Sequence, residues 1–565
     1  MRTPSLKRLD YPKTMQNVAL ARAFDEIADY MELAGENQFK IRAYRRASEV
    51  VADFPSPIED AADNGQLDEI EGLGAATVAK SREFLATGQI KLLLWLQSKY
   101  PPGLLDVLRV PGLGPKKVAL LHKERGVDSI EKFSEILENG GLSGVAGFGP
   151  KTIENLKTGL KRMAQLTARL PLTEAAPIAT KLKSALHEKR PEIEVFDAGS
   201  LRRGADTLGN LNFVARTNDT RFLDDFLSLP HVLETLERTE TSAKAKIYPG
   251  LEVEIVLSKP ENFGSTLWFQ TGSRAHLESA SEVGDFASET ELYASLKFDF
   301  IPPELREGRG EWAAAKAGRL PKLIEIGDIR GDLHTHSTWS DGVSTIAQMA
   351  SEMSALGYEY FAVTDHSKAL AMANGLNAAR LREQALEIAE VQAQFPNVKI
   401  FRGIECDILR DGTMDLDDEI LADLDVVVAS VHSAFNLDAV AQTDRIIRAI
   451  SHPSVTFVGH PTGRVLGVRP PYDVDIPALI EAAKHFGKAL EINASERLDL
   501  KDEHAFAARE AGVLLSIDTD AHSPKMLSNL PYGITTARRA WCEAKDVLNT
   551  KPLDALQLWL SRKQI

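Results

Sequence analysis

Between residues 17 and 165, apolar positions recur at intervals of three and four and are interrupted by short glycine turns, which predicts consecutive amphipathic helices. From about 171 to 330 the period shortens, and the apolar pattern predicts strands at 192–196, 211–215 and 252–257 in a mixed α/β region. The charged stretch "IPPELREGRGEWAAAKAGRLPK" then reads as a connector. After 326, apolar runs of about five to eight residues alternate with helical patterns, as they do in a parallel α/β barrel. These changes of texture divide the chain into 1–95, 96–170, 171–305, 306–330 and 331–565.

The helical region repeats one device. In "IEGLGAATVAK", "LRVPGLGPKKVALL" and "VAGFGPKTIENL", a hydrophobic-x-Gly-hydrophobic-Gly turn precedes a new helix. The pairs Gly72 and Gly74, Gly112 and Gly114, and Gly147 and Gly149 leave backbone N–H groups open at a helix N-terminus, where a phosphate can sit. Lys80, Lys116, Lys117 and Lys151 follow these turns. The turns resemble helix-hairpin-helix motifs, which hold DNA phosphates without reading bases. Tight turns with no ligand are the alternative, and three copies beside lysines favour DNA. The cluster Lys40, Arg42, Arg45 and Arg46 fits either a phosphate pocket or a solvated basic helix.

A formal charge of −15 argues at first against nucleic acid, but it divides into about +2 for 1–170, −6 for 171–330 and −11 for 331–565. A basic face and an acidic, cation-holding domain can therefore share one chain. Cys406 and Cys542 make neither a disulfide framework nor a thiolate zinc site, so any metal must be held by His, Asp and Glu. No apolar run reaches the roughly 18 residues of a membrane span and no secretory signal opens the sequence, so a cytosolic protein is expected.

In the last region one event recurs: an apolar strand runs out and its final residues are potential ligands. It happens in "GDLHTHSTWSDG", "YFAVTDHS", "IFRGIECDI", "VVVASVHS", "TFVGHP", "ALEINA" and "LLSIDTDAHS". Because barrel enzymes place their sites at the C-terminal ends of their strands, these endings are expected to converge. His334, His336, Asp341, His366, Glu405, His432, His460, Asp520 and His522 would then surround one cavity. Imidazole and carboxylate donors without thiolate suit two or three Mn²⁺, Zn²⁺ or Fe²⁺ ions and hydrolysis of a phosphoester.

These motifs resemble the PHP (polymerase and histidinol phosphatase) hydrolase domain. The order of parts resembles a bacterial family X DNA polymerase over about 15–565, with "FGSTLWFQTGSRAH" and "FIPPELREG" as further matching elements. The resemblance implies an all-α helix-hairpin-helix front, an α+β nucleotidyltransferase-like palm with a reduced thumb, and a distorted seven-stranded (β/α) PHP barrel. It implies Mn²⁺ or Zn²⁺ in the barrel, where the nine ligands are also the catalytic set; Arg464, Asn493 and Arg497 are candidate phosphate contacts, with a solvated or salt-bridged surface residue as the alternative for each arginine. It implies 3′→5′ exonuclease action on gapped, nicked or 3′-ended DNA in repair, with abasic-site cleavage and 3′-phosphate removal as related activities. Small-molecule phosphatase action of the histidinol-phosphatase type is an alternative, as is active gap filling.

In the palm, "GSLRRGADTLGNLNFVAR" matches the family's phosphate grip through Ser200 and Arg203, but Asn210, Asn212 and Glu254 stand where the family carries three aspartates. Mg²⁺ depends on anionic carboxylates, so the palm is expected to hold it poorly and to be non-polymerising. Only 25 residues separate His276 from Pro302, which shortens the thumb. In the front domain Lys80 matches the family's lyase lysine, with Ala76 in place of an assisting basic residue; simple phosphate contact is the other reading. The set of domains needs no partner chain, and a monomer is expected.

Overall fold

The computed structural model describes residues 13–561 except 53, 55–57, 109, 111, 143, 146, 168, 230, 248–249 and 281–282. It divides into two compact units, Met1–Gln165 and Leu166–Ile565.

The first unit is helical, from Lys13–Leu33 to Pro150–Thr167, as its periodicity predicts. A single apolar core runs from Leu20 to Leu156, so the expected boundary at 95/96 is not a break in packing. Gly72, Gly112 and Gly147 all have left-handed φ values, +94°, +89° and +85°, which a side chain would strain. Gly74 and Gly114 are extended N-caps of helices Ala75–Thr87 and Pro115–Arg125, and neither helix start is closed by a capping side chain. The N–H groups of those first turns therefore face outward as donors.

The second unit opens with helix Leu172–Lys189, which buries Leu172, Ala175, Ala179, Leu182 and Leu186 along one face. They pack on a five-stranded sheet in the order Val195–Ala198, Asn210–Arg216, Leu251–Ser258, Ser242–Ile247 and Val232–Arg238. Two of the three predicted strands extend by a residue or so, and the first begins later, at Val195. Val232–Arg238 and Ser242–Ile247 escape sequence reading: the former is an exposed, bulged edge, and the latter turns mostly alanines inward between lysines.

The expected connector at 306–330 is instead packed. The Arg306 guanidinium is fully buried against Glu289 and the Ile301 carbonyl. Glu311 is also fully buried; it accepts from the Gly308 and Arg309 N–H groups and lies 2.8 Å from His276 Nδ1. Charges that suggest a solvated linker are here paired in a small core with Trp268, Tyr293 and Trp312.

Seven parallel strands follow in sequential order: Gly331–Thr335, Tyr360–Val363, Lys399–Asp407, Val426–Ser430, Phe457–Val458, Ala489–Asn493 and Leu515–Asp518. The last returns to the first through the Thr335–Ala521 bridge and the Leu333 N–H, which donates to Asp518 Oδ1 at 2.7 Å. The result is a nearly closed barrel with every strand residue buried except Lys399 and Arg402 in the third, which are half-buried. Among the described residues, no helix is long and apolar enough to cross a membrane.

Candidate metal centre

Each barrel strand but the sixth delivers ligands at its C-terminal end, and the nine expected side chains come together in one cavity. Glu405 stands at the middle. Its carboxylate lies 2.8 Å from His366 Nδ1, 2.9 Å from His460 Nε2, 3.2 Å from His432 Nε2 and 3.5 Å from His334 Nε2. Asp520 faces His336 at 3.1 Å, and Asp341 approaches His522 at 3.4 Å and His366 at 3.5 Å. Three overlapping groups have metal-ligand spacing: His336, Asp341, His366 and His522; His334, His336 and Asp520; and His366, Glu405 and His432. His460 belongs to none of these three but reaches Glu405. Asp341 and His522 are the most exposed of the set and mark its open side.

Whether the cavity suits cations can be judged from its unsatisfied atoms. His334 Nε2, both nitrogens of His336, His366 Nδ1, His432 Nδ1, His460 Nδ1 and Glu405 Oε2 are buried without a well-formed hydrogen bond, although several of them face one another or a carboxylate at ion-pair distance. A buried polar atom left in this way costs about 1–3 kcal/mol, so such a concentration of lone-pair donors fits a multi-cation site. His460 and Asp520 also adopt left-handed φ values of 29° and 53°, backbone strain that the surrounding fold holds in place.

Charge is distributed unevenly across the cavity. Burial, with His522 and His366 nearby, pushes His336 down to about 3. Burial and Arg497 push His460 down to about 4. Burial also opposes charge on His366 and His522, but Glu405 and Asp341 raise the former to about 10, and Asp341 and Asp520 raise the latter to about 9. Despite their own burial, Glu405 and Asp520 are held well below the carboxylate range by the surrounding histidines.

Three carboxylates were not picked out by sequence reading. Glu491 places Oε1 2.6 Å from His334 Nδ1 and accepts the His460 N–H at 2.5 Å, which turns His334 Nε2 toward the cavity. Asp407 lies 3.3 Å from His432 Nδ1. Asp365 accepts from Ser337 N and Oγ, Ser340 N and Gln384 Nε2, and so orders the loop that carries Asp341. All three lie within two residues of a chosen position, in "TDH", "ECD" and "LEIN", and that adjacency was the available signal.

Two expected phosphate contacts are corrected. Arg464 donates to the Arg497 and Leu498 carbonyls and to Asp206 at 2.8 Å, so its guanidinium is already engaged. Asn493 donates to Glu491 and Asp520, each at 3.2 Å, and accepts from Ser495; it braces ligands and has no free donor for phosphate. Arg497 differs from both: its Nε is 3.7 Å from Asp520 Oδ2, and its Nη1 is buried without a partner.

The palm cleft contrasts with this centre. Asn210 donates to Asn212 at 3.2 Å, and Glu254, in register with Asn212 on the adjoining strand, has Lys244 Nζ at 3.6 Å. Among the described residues, every group with metal-ligand spacing lies in the barrel. Ser200 sits in the short helix Gly199–Arg202. Arg203, however, is already paired with Glu307 at 2.9 Å and with the Thr271 carbonyl at 2.7 Å, which corrects its reading as a free nucleotide contact.

In the front unit, Lys116 and Lys151 are exposed and Lys80 is half-buried. Lys117 donates to the Gly112 carbonyl at 3.2 Å. Lys40 pairs with Glu36, and Arg45 with Asp25, Asp29 and Glu32, so these two members of the expected basic cluster are already engaged within the unit.

Fold and cavity together define a metallohydrolase barrel on a chain whose front carries helix-hairpin-helix elements. Family models agree with this division: a helix-hairpin-helix domain at 15–90, a SAM-like helix-hairpin-helix tandem at 104–162, and a PHP domain at 332–495. The chain is 38% identical to the Bacillus subtilis (strain 168) "DNA polymerase/3'-5' exonuclease PolX", over 97% of its own length and all of that protein. It belongs to this PolX family of family X DNA polymerases. Its barrel alone resembles a "probable phosphatase" of Thermoanaerobacter sp. (strain X514), 31% identical over 39% of this chain and 89% of that protein. It likewise resembles one of Acetivibrio thermocellus, 32% identical over 34% and 78% respectively.

Proposed function

We propose that the barrel is a DNA-directed phosphodiesterase that removes nucleotides 3′→5′ from gapped, nicked or recessed ends during repair, and that the palm does not polymerise. One observation carries this reading: the barrel gathers nine ligand side chains with unsatisfied buried nitrogens, while the palm offers two amides and a carboxylate beside a lysine. The PolX relative, which shares the whole architecture, is named for both activities.

In this scheme His334, His336, Asp341, His366, Glu405, His432, His460, Asp520 and His522 hold two or three Mn²⁺ or Zn²⁺ ions. Bound there, such ions lower the pKa of an attacking water and neutralise charge on the phosphate and leaving oxygens. The chain's own groups do the rest. Glu491 fixes the His334 ring, Asp407 fixes His432, and the unpartnered Arg497 Nη1 donates a hydrogen bond to a phosphate oxygen. The glycine turns at 72–74, 112–114 and 147–149 hold the backbone of the DNA, and the chain works as a monomer.

A primer with a recessed 3′ end, incubated with Mn²⁺ with and without all four nucleotides, tests both halves. Shortening in both lanes is expected; intact primer sinks the nuclease reading, and nucleotide-dependent lengthening sinks the reading of the palm. A second reading, phosphomonoester hydrolysis, draws on the two relatives named as probable phosphatases. Release of inorganic phosphate from a 3′-phosphorylated primer, or from a small phosphomonoester without competition by DNA, favours it.

A further inference from the structure

If the palm makes no DNA, its retention calls for a physical reason, and the loop 495–500 supplies one. This loop follows the sixth barrel strand and carries Arg497, whose Nε lies 3.7 Å from Asp520 Oδ2. The next residue, Leu498, has a left-handed φ of 42°, and its side chain is completely buried. It is not buried in the barrel. Together with Leu466, Leu498 belongs to the palm's apolar core, with Leu172, Leu208 and Phe213.

The backbone of the loop is held from the same side. Arg464 donates through Nε to the Arg497 carbonyl at 3.0 Å and through Nη2 to the Leu498 carbonyl. Its remaining terminal nitrogen, Nη1, donates to Asp206 of the palm at 2.8 Å. On its other flank the loop is tied to the barrel, where Asp499 accepts from the Thr462 N–H and hydroxyl at 3.0 and 2.8 Å. A non-glycine residue in the left-handed region persists only where its surroundings over-determine it. At Leu498 those surroundings include palm residues beside the barrel's own bonds: an apolar pocket for the side chain and Asp206 to fix Arg464.

From this geometry we infer that Asp206 and the palm core form a clamp that sets the position of Arg497, with Asp206 and Arg464 as positioning residues for the hydrolytic site. The palm then serves the barrel as a buttress. Without the Asp206 carboxylate, Arg464 loses its anchor, the Leu498 turn relaxes, and Arg497 withdraws from the phosphate position beside Asp520. The inference rests on the proposed hydrolysis and on Arg497 as its phosphate contact.

The test uses the full-length chain, a 3′-recessed oligonucleotide duplex and Mn²⁺. Arg497→Ala is expected to raise KM for the duplex about 10- to 100-fold, the range for losing a charge-assisted hydrogen bond. Asp206→Ala is expected to raise it about 3- to 20-fold with metal content unchanged. Asp206→Glu should restore much of the loss, and Asp206→Ala should add nothing in an Arg497→Ala background. Independently of activity, amide hydrogen exchange across 495–500 should quicken in metal-free Asp206→Ala, and Leu498→Ala should reproduce that change.

Wild-type KM for Asp206→Ala, additive effects in the double variant, or unchanged exchange at 495–500 would each overturn the clamp. Loss of bound metal in Asp206→Ala would overturn it too, because it would place the effect on the ligands. Absence of hydrolysis in the unsubstituted chain is a different result: it removes the proposed function, and the exchange measurement still judges the clamp.

Discussion

The palm cleft and the barrel cavity are the two places where the sequence raises the question of metal chemistry, and they differ in what happens to their polar atoms. In the cleft three groups have partners within the protein: Asn210 with Asn212, Glu254 with Lys244, and Arg203 with Glu307. In the cavity, imidazoles and carboxylates crowd one another at ion-pair distance, and several buried nitrogens and a carboxylate oxygen are left without a well-formed hydrogen bond. Buried donors left without a well-formed hydrogen bond are costly unless something else satisfies them, and a cation can do so.

The sharpest way to break this contrast is at its centre. Glu405→Ala removes the carboxylate shared by five histidines, and hydrolysis with Mn²⁺ should fall by more than about 100-fold, beyond the range for residues that only orient ligands. Metal content by elemental analysis should fall with it; a variant that keeps both would dissolve the contrast.

One step outward, Glu491→Gln keeps the shape but weakens the hold on the His334 tautomer. Metal affinity, read by competition with a chelator, should drop about 10- to 100-fold while the fold remains.

pH gives the next measure. The metal-free cavity holds extra protons on His366, raised to about 10, and on His522, raised to about 9, and binding must displace them. Below those values both histidines are charged, so affinity must rise as pH rises from 6 toward 9, by about tenfold per unit for each proton displaced. Calorimetry in buffers of different ionisation enthalpy counts the protons released, and a count of zero contradicts the charge pattern.

The smallest effect lies in the palm. Asn210→Asp with Asn212→Asp should create one weak additional Mn²⁺ site, visible by paramagnetic resonance. Adding Lys244→Ala should strengthen it only about two- to fivefold, because the lysine is half in solvent. If the double substitution adds no site, the difference between cleft and cavity lies deeper than their carboxylates.

Legibility followed local pattern. Six of the seven strand endings announced the candidate ligands, because parallel topology makes a strand's last residues converge, so His334 through His522 could be chosen from the sequence. The glycine turns were equally readable, since φ near +90° at Gly72 and Gly112 restricts the residue to one that lacks a Cβ. Long-range pairing was not readable. Nothing near Arg464 in sequence points to Asp206, 258 residues away, and so an arginine after a histidine ligand looked like a phosphate contact. Arg306 and Glu311 looked like linker charges for the same reason: their partners, Glu289 and His276, are set by packing.

The order of domains, the helical and barrel textures, and the identity of the ligands are thus contained in the chain itself, because periodicity and strand-end chemistry are local properties. Which polar groups stay open and which are paired belongs to the fold, because a charge paired across hundreds of residues and an unpaired one are written with the same letter. The same holds for the docking of a palm core onto the loop beside the metal centre. Leu498 reads as one more apolar residue until its burial, its left-handed backbone and its neighbours from the palm are seen together.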